Sequence, residues 1–253
     1  MQNHPNIRRW PVSLHEELSS QGPLACTWFA LGSPALVEIA LDAYPDFIVI
    51  DRQHGLWERA SLEAAIGVAR HQVPVVVRCA DNTAQSIGEA LDAGASSALI
   101  PLVESAEQAR LAVSFGRYPP LGRRSGGGVR PLIAGVEAMR NDTGRVAIGV
   151  MIETVPGVEQ VEAIAAVEGL DYLFIGTGDL ALSRGDVREE VLAADHERVL
   201  RAARSNGLPC GIFTGSTEDA QRQLARGFDF VVSASDIDVT RRGFQSTTAA
   251  LRQ

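Results

Sequence analysis

The chain has 253 residues, 45% apolar and 21% charged, enough to bury one large core, and a single domain over 1–253 is expected. Its formal net charge of -8 and a pI near 5.2 argue against a general nucleic-acid or membrane-surface role, because phosphates attract clustered Lys and Arg. No apolar run approaches the roughly 20 residues that span a bilayer, and Met1 to Trp10 is polar, so the expectation is a cytosolic protein acting on small molecules.

After a polar lead-in, Leu24 to Leu31 reads as a first strand, and Ser33-Pro34 opens a helix near Ala35 to Ala43, with Ser33 as N-cap and Pro34 in the first turn. Phe47 to Ile50 is a second strand that ends abruptly in Asp51-Arg52-Gln53-His54-Gly55, and a helix follows over about Ser61 to Arg70. Pro74 to Arg78 is the third strand, and the helix Gln85 to Ala93 stops at Gly94, a glycine placed as a C-terminal cap. Ala98 to Leu102 is the fourth strand, with helix Ala106 to Phe115 behind it.

The rhythm breaks at Gly116 to Pro131, where Tyr118-Pro119-Pro120 and Gly122 to Gly128 predict a long loop, either functional or a disordered linker. It resumes with strand five, Val146 to Ile152, ending at Glu153, and helix Val158 to Val167. Strand six, Tyr172 to Ile175, ends in Gly176-Thr177-Gly178-Asp179 and leads through a polar insertion to a helix at about Glu190 to Asn206. Pro209 to Phe213 makes strand seven with helix Glu218 to Arg226, Phe228 to Val232 makes strand eight, and Ile237 to Leu251 is a terminal helix. Cys26, Cys79 and Cys210 are odd in number and sit in apolar runs, which predicts buried free thiols rather than a disulfide or metal framework.

Short apolar runs alternating with amphipathic helices describe a parallel sheet covered on its outer face. Eight such units favour an α/β fold of the (β/α)8 TIM-barrel type. A doubly wound open sheet is the alternative, but the Gly-x-Gly-x-x-Gly turn after the first strand is absent. In a barrel the active site lies at the carboxyl ends of the strands.

Those ends carry Asp51 and His54, Arg78, Glu153 and Asp179, from separate strands and on one predicted face. Glu153 and Asp179 end neighbouring strands, and two carboxylates held together need a cation. Without a nearby Cys or second His, the pair favours Mg²⁺ or Mn²⁺ over Zn²⁺, and Co²⁺ and Ni²⁺ also accept such ligands. Arg78 suits an oxyanion, or alternatively a structural ion pair with Asp51. His54 can exchange a proton near neutrality, with Asp51 orienting its ring, or the two simply shape a turn. Asp92 ends a helix, where its charge opposes the helix dipole by about 0.3 to 1 kcal/mol, so it is either a tolerated surface acid or put to another use.

In this order the residues resemble the HpcH/HpaI aldolase family, metal-dependent class II pyruvate aldolases that cleave and form 4-hydroxy-2-oxoacids. The resemblance runs from Trp28 to strand eight. It rests on Ile50 to Gly55, Leu91 to Ala95, Ile100 to Val103, Arg117 to Gly122, Ile152 to Thr154 and Phe174 to Leu180. It implies Glu153 and Asp179 as metal ligands, His54 and Asp51 as a base dyad, and Arg78 as the arginine that steadies the enolate. It further implies Trp28, Gly176, Thr177, Gly178 and Arg124 as substrate contacts, Gly176 to Gly178 offering backbone amides to the substrate carboxylate. Asp92 matches an acid lent to a neighbouring subunit's site, which implies a homohexamer built as a trimer of dimers.

Three departures stand out, one of them in the long loop, where Arg123-Arg124-Ser125 places only Arg124 at the position of the family's usual arginine. Arg52-Gln53-His54 replaces the usual Gly-Glu-His, which removes an acid near the metal and is similar to a Gln-His-Gly subgroup, and Gly176-Thr177-Gly178-Asp179 replaces Gly-Pro-Ala-Asp. The implied function is reversible cleavage of a 4-hydroxy-2-oxoacid to pyruvate, or hydroxypyruvate, and an aldehyde through a metal-stabilised enolate, with no Schiff-base lysine. Rivals are oxaloacetate decarboxylation, lysis of a CoA thioester, a phosphate-binding isomerase, and a barrel that binds metal and oxoacid without turnover. Aldehyde selectivity is expected to reside in Arg123, Arg124 and the end of strand seven at Phe213 and Thr214.

Overall fold

The structure is a computed structural model and describes residues 12–19, 22–141, 146–185 and 188–252. Eight parallel strands close in sequence order into one barrel: β1 (Leu24–Phe29), β2 (Phe47–Asp51), β3 (Val75–Arg78), β4 (Ser97–Ile100), β5 (Ala147–Ile152), β6 (Tyr172–Ile175), β7 (Cys210–Ile212) and β8 (Phe230–Ser235). The helices of the first half are α1 (Leu14–Leu18), α2 (Pro34–Leu41), α3 (Arg59–Ala69), α4 (Ala84–Asp92), α5 (Ala106–Gly116), α6 (Val129–Ala134) and α7 (Val136–Asn141). Those of the second are α8 (Val155–Glu159), α9 (Val161–Ala165), α10 (Thr177–Arg184), α11 (Glu189–Ser205), α12 (Thr217–Arg226) and α13 (Asp236–Ala250).

The apolar strands have two destinations because successive side chains point to opposite faces. Ile48 and Ile50 of β2, Val75 and Val77 of β3, and Ile148, Val150 and Ile152 of β5 face outward and pack against the helices. Phe47, Val49, Val76, Leu99, Met151, Tyr172, Phe174 and Phe230 face inward and fill the barrel. Phe230 meets Phe47 and Tyr172 edge-on, with ring centroids 5.5 Å and 5.6 Å apart, contacts that add about 0.5–1.5 kcal/mol each to simple burial. Gly149 and Gly211 leave room for these rings: a Cβ on Gly149 would collide with Tyr172, and one on Gly211 with Phe230. The Tyr172 hydroxyl is hydrogen-bonded to Ser97 across the interior at 2.9 Å. At the amino-terminal end of the strands, Leu14 of α1 joins the inner cluster and is 1% exposed, so the barrel is stopped at its foot.

The same alternation positions the site. Asp51 follows the inward Val49, Arg78 the inward Val76 and Glu153 the inward Met151, so all three point into the barrel at its carboxyl end.

Several boundaries differ from expectation. The Ser33 cap is present, its Oγ accepting from Leu36 N at 3.3 Å, and Gly94 takes φ +93° where a cap was expected. The predicted helix Val158 to Val167 instead begins at Val155, because the Thr154 side chain caps it through Gly157 N at 3.2 Å, and breaks at Gln160. The stretch after strand six carries no helix in the sequence reading, yet α10 starts at Thr177 and is capped by Gly185, φ +66°. The long loop is ordered as far as Gly128 and then turns into α6 and α7. Arg117 anchors it, donating to Asp171 at 2.7 Å and to the Val146 carbonyl. The three cysteines are free and buried, and burial pushes the Cys79 thiol up to about 12.

Candidate active site

Asp51 and Arg78 are register partners on β2 and β3, and strand pairing alone puts their side chains together. Arg78 grips Asp51 with two nitrogens, Nε to Oδ1 at 2.8 Å and Nη2 to Oδ2 at 2.5 Å. Asp51 also accepts from the backbone amides of Gln53 at 3.0 Å and His54 at 3.2 Å. Burial alone would raise the Asp51 pKa, but the Arg78 hydrogen bonds and charge, together with these amides, hold it below the usual carboxylate range. The guanidinium carbon lies 5.0 Å from the Trp28 ring centre, so one face of the cation is covered by indole. Nε and Nη2 of Arg78 are taken by Asp51, and Nη1 makes no hydrogen bond or ion pair among the described residues.

The ion pair fulfils the structural role weighed for Arg78, and it redefines Asp51. Its carboxylate holds the backbone of the turn that carries His54, whereas the His54 ring has no hydrogen bond to it. His54 is exposed on the rim, one residue before Gly55, where a Cβ would collide with the Asp51 carbonyl.

Glu153, just beyond β5, is 1% exposed. Its Oε1 accepts from Leu102 N at 2.7 Å, while its Oε2 is buried without a partner. Leu102 takes φ +54°, a backbone conformation unusual outside glycine, to aim that amide at the carboxylate. Gly176 lies against Glu153 so closely that a Cβ there would strike the carboxylate. Burial, reinforced by Asp179 and opposed by Leu102 N and Arg78, pushes the Glu153 carboxyl up to about 7. A buried carboxylate with one orphaned oxygen and a second acid beside it is a donor set that suits a hard divalent cation. Among the described residues no group of three or more His, Cys, Asp or Glu is arranged to hold a metal, so this site offers two carboxylates and leaves the other positions to water and substrate oxygens.

These groups share a cavity of about 620 Å³ at the carboxyl ends of the strands. It is lined by Trp28, Asp51, His54, Arg78, Glu153, Gly176, Thr177, Gly178 and Asp179, all expected from sequence, and also by Ala30, Met151, Leu182, Phe213, Ser235, Ile237 and Asp238. Phe213 was expected as a selectivity position. Leu182, in the last turn of α10, and Ile237 and Asp238, in the first turn of α13, were not. Thr214 turns away and donates to the Val232 carbonyl at 2.5 Å.

Asp92, Arg123 and Arg124, like Thr214, do not line this cavity, and Arg123 stacks 4.4 Å from the Phe115 ring centre. Asp92, at the end of α4, is bonded by Arg124 Nη2 at 2.8 Å, which answers the unfavourable helix-end charge, and Arg124 also stacks 4.6 Å from the Tyr118 ring centre. Gly128, φ +81°, passes against the Asp92 side chain with no room for a Cβ.

The HpcH/HpaI aldolase/citrate lyase family model matches residues 24–242, which is the whole barrel. The chain belongs to this family. It is 34% identical to a hydroxypyruvate/pyruvate aldolase of Cupriavidus necator, over 89% of this chain and 87% of that one. It is also 34% identical to a 5-keto-4-deoxy-D-glucarate aldolase of Salmonella arizonae, over 93% and 95% of the two chains. A solved HpcH/HpaI aldolase/citrate lyase family protein from Burkholderia cenocepacia superposes with a TM-score of 0.88 at 31% identity, covering 95% of this chain and 99% of that one. Membership makes the chain a carbon–carbon lyase of the aldolase type. No helix among the described residues is long and apolar enough to cross a membrane.

Proposed function

We propose that the chain catalyses reversible cleavage of a 4-hydroxy-2-oxoacid to pyruvate or hydroxypyruvate and an aldehyde, with Glu153 and Asp179 holding a divalent cation. Mg²⁺ and Mn²⁺ are the first candidates and Co²⁺ a further one. The observation that carries this is the orphaned Oε2 of buried Glu153 beside Asp179. A cation bound there supplies Lewis acidity toward the keto and carboxylate oxygens of an oxoacid.

The chain's own groups do the rest. Arg78, fixed by Asp51 and Trp28, turns Nη1 toward the negative charge that develops on the keto oxygen. Thr177 and Gly178, in the first turn of α10, present backbone amides suited to the oxoacid carboxylate. His54 on the rim moves the proton at the hydroxyl of the departing aldehyde, and Asp51 positions His54 through its backbone amide. A Schiff-base route through a lysine has no residue to use, since the chain contains no lysine.

The test is deuterium exchange at pyruvate C3, followed by NMR in chelator-treated protein before and after Mg²⁺ or Mn²⁺ is restored. Exchange that returns with metal, and fails in Glu153→Ala, is expected. Exchange that survives chelation refutes the reading.

A homohexamer, a trimer of dimers, is part of the same proposal. It is supported by Asp92 and Arg124 lying off this chain's own cavity and by the exposed Val129, Leu132, Ile133 and Val136 of α6 and α7. Light scattering that finds a monomer with full activity overturns it.

A further inference from the structure

The cavity has two unlike halves. Arg78, Glu153, Thr177 and Asp179 come from β3, β5 and the start of α10, whereas the closed strand order places β7, β8 and β1 together on the other side. That second half presents Trp28, Phe213 and Ile237, with Leu182 of α10 at its edge. Trp28 is held rigidly, edge-on to Phe213 at 5.5 Å and 5.8 Å from Phe174, so the wall is preformed rather than adaptable.

Its charges are one-sided. Asp51, Glu153, Asp179 and Asp238 line the cavity, and Arg78 is the only Arg or Lys among the described lining residues, already tied to Asp51. Asp238 is the single charged residue among the described residues that line the cavity on the β7–β8–β1 side. It accepts from Ser235 at 3.0 Å and from Arg241 at 2.5 Å, and Arg241 itself stays outside the cavity.

Resting on the aldolase reading, we propose that the β7–β8–β1 half receives the substituent of the aldehyde and selects an uncharged, apolar or weakly polar one over one that ends in a carboxylate. A second carboxylate placed there loses water, meets aromatic and aliphatic carbon, and finds Asp238 and no unpaired arginine of this chain among the described lining residues. A short alkyl group gains contact with Phe213 and Ile237, and a hydroxyalkyl group gives up far less hydration than a carboxylate does.

The experiment compares kcat/KM for aldol addition of pyruvate to propanal, glycolaldehyde and succinic semialdehyde, using the assembled protein with Mg²⁺. Both uncharged aldehydes are expected to exceed succinic semialdehyde by about tenfold or more, the scale on which an unpaired polar group is rejected. Ile237→Arg, which sets a cation in the wall, is expected to shift the propanal-to-semialdehyde ratio at least about fivefold toward the semialdehyde. A parent ratio at or below one overturns the inference whether or not the variant folds. C3 exchange of pyruvate without any aldehyde separates the two readings. Its absence refutes the aldolase assignment, whereas exchange with a preference for the semialdehyde refutes only the selectivity of the wall.

Discussion

Replacing Asp51 by Ala strips the partner from an arginine that is 7% exposed, and also leaves the amides of Gln53 and His54 without their acceptor. The intact pair is buried on both sides, Asp51 being 2% exposed, and is joined by two charge-assisted hydrogen bonds. Breaking such a pair from one side costs about 3–5 kcal/mol, because the cost is the stranded charge rather than the net worth of the pair. At about 2–4 °C per kcal/mol for a domain of this size, the melting temperature falls by roughly 10 °C.

The same logic predicts that Asp51→Leu with Arg78→Met recovers most of the loss. A double-mutant cycle by urea unfolding, at fixed protein concentration and in chelator, then yields a coupling of about 2 kcal/mol or more. The acid limb gives a second reading. The folded-state pKa of Asp51 lies below its unfolded value, so its contribution is complete above the unfolded pKa and is lost as pH falls through the folded one. Asp51→Asn flattens that limb. If Asp51→Ala loses less than about 1 kcal/mol, or the two single substitutions add, the pair is a surface-like contact and the reasoning fails.

Glu153 has the opposite sign: burial raises its carboxyl from 4.5 to about 7, so the folded state keeps a proton that the unfolded chain gives up. In chelator, the stability of the parent relative to Glu153→Gln therefore declines between those two pH values and then holds a constant deficit of about 3 kcal/mol, at about 1.36 kcal/mol per unit. A difference that stays flat from pH 4 to 8 in urea unfolding refutes this. Gly149→Ala drives a methyl into the Tyr172 ring and costs about 1–3 kcal/mol, while Tyr172→Leu in the same chain returns part of it. Additive losses in thermal melts show that the interior yields more easily than the packing indicates.

The barrel was legible because both of its signals are local. Runs such as Val75-Val76-Val77 are buried on two faces and cannot alternate, and each is followed by a helical pattern. The convergence of Asp51, Arg78, Glu153 and Asp179 follows from strand polarity alone. What escaped depends on contacts that are distant in sequence. The hold of Asp51 on Arg78 competes with its reach to the His54 ring, and only the register of β2 on β3 decides between them. Leu102 gives no local hint of its positive φ, because Glu153, some fifty residues on, is the acceptor of its amide. The order of the long loop comes from Arg117, Arg124 and Gly128, whose partners are Asp171, just before β6, and Asp92 at the end of α4. The resemblance to the family supplied roles for Asp92 and Arg124 that spacing alone did not.

Leu14 and the ring of aromatic side chains give the barrel a closed end, so traffic through it runs by a single door. Two molecules that meet inside cannot arrive from opposite sides, nor can the halves of a cleaved one depart separately by different exits. The partner seated further in must come first and go last. In steady-state kinetics that is an ordered sequence, in which the outer partner at high concentration detains the inner one.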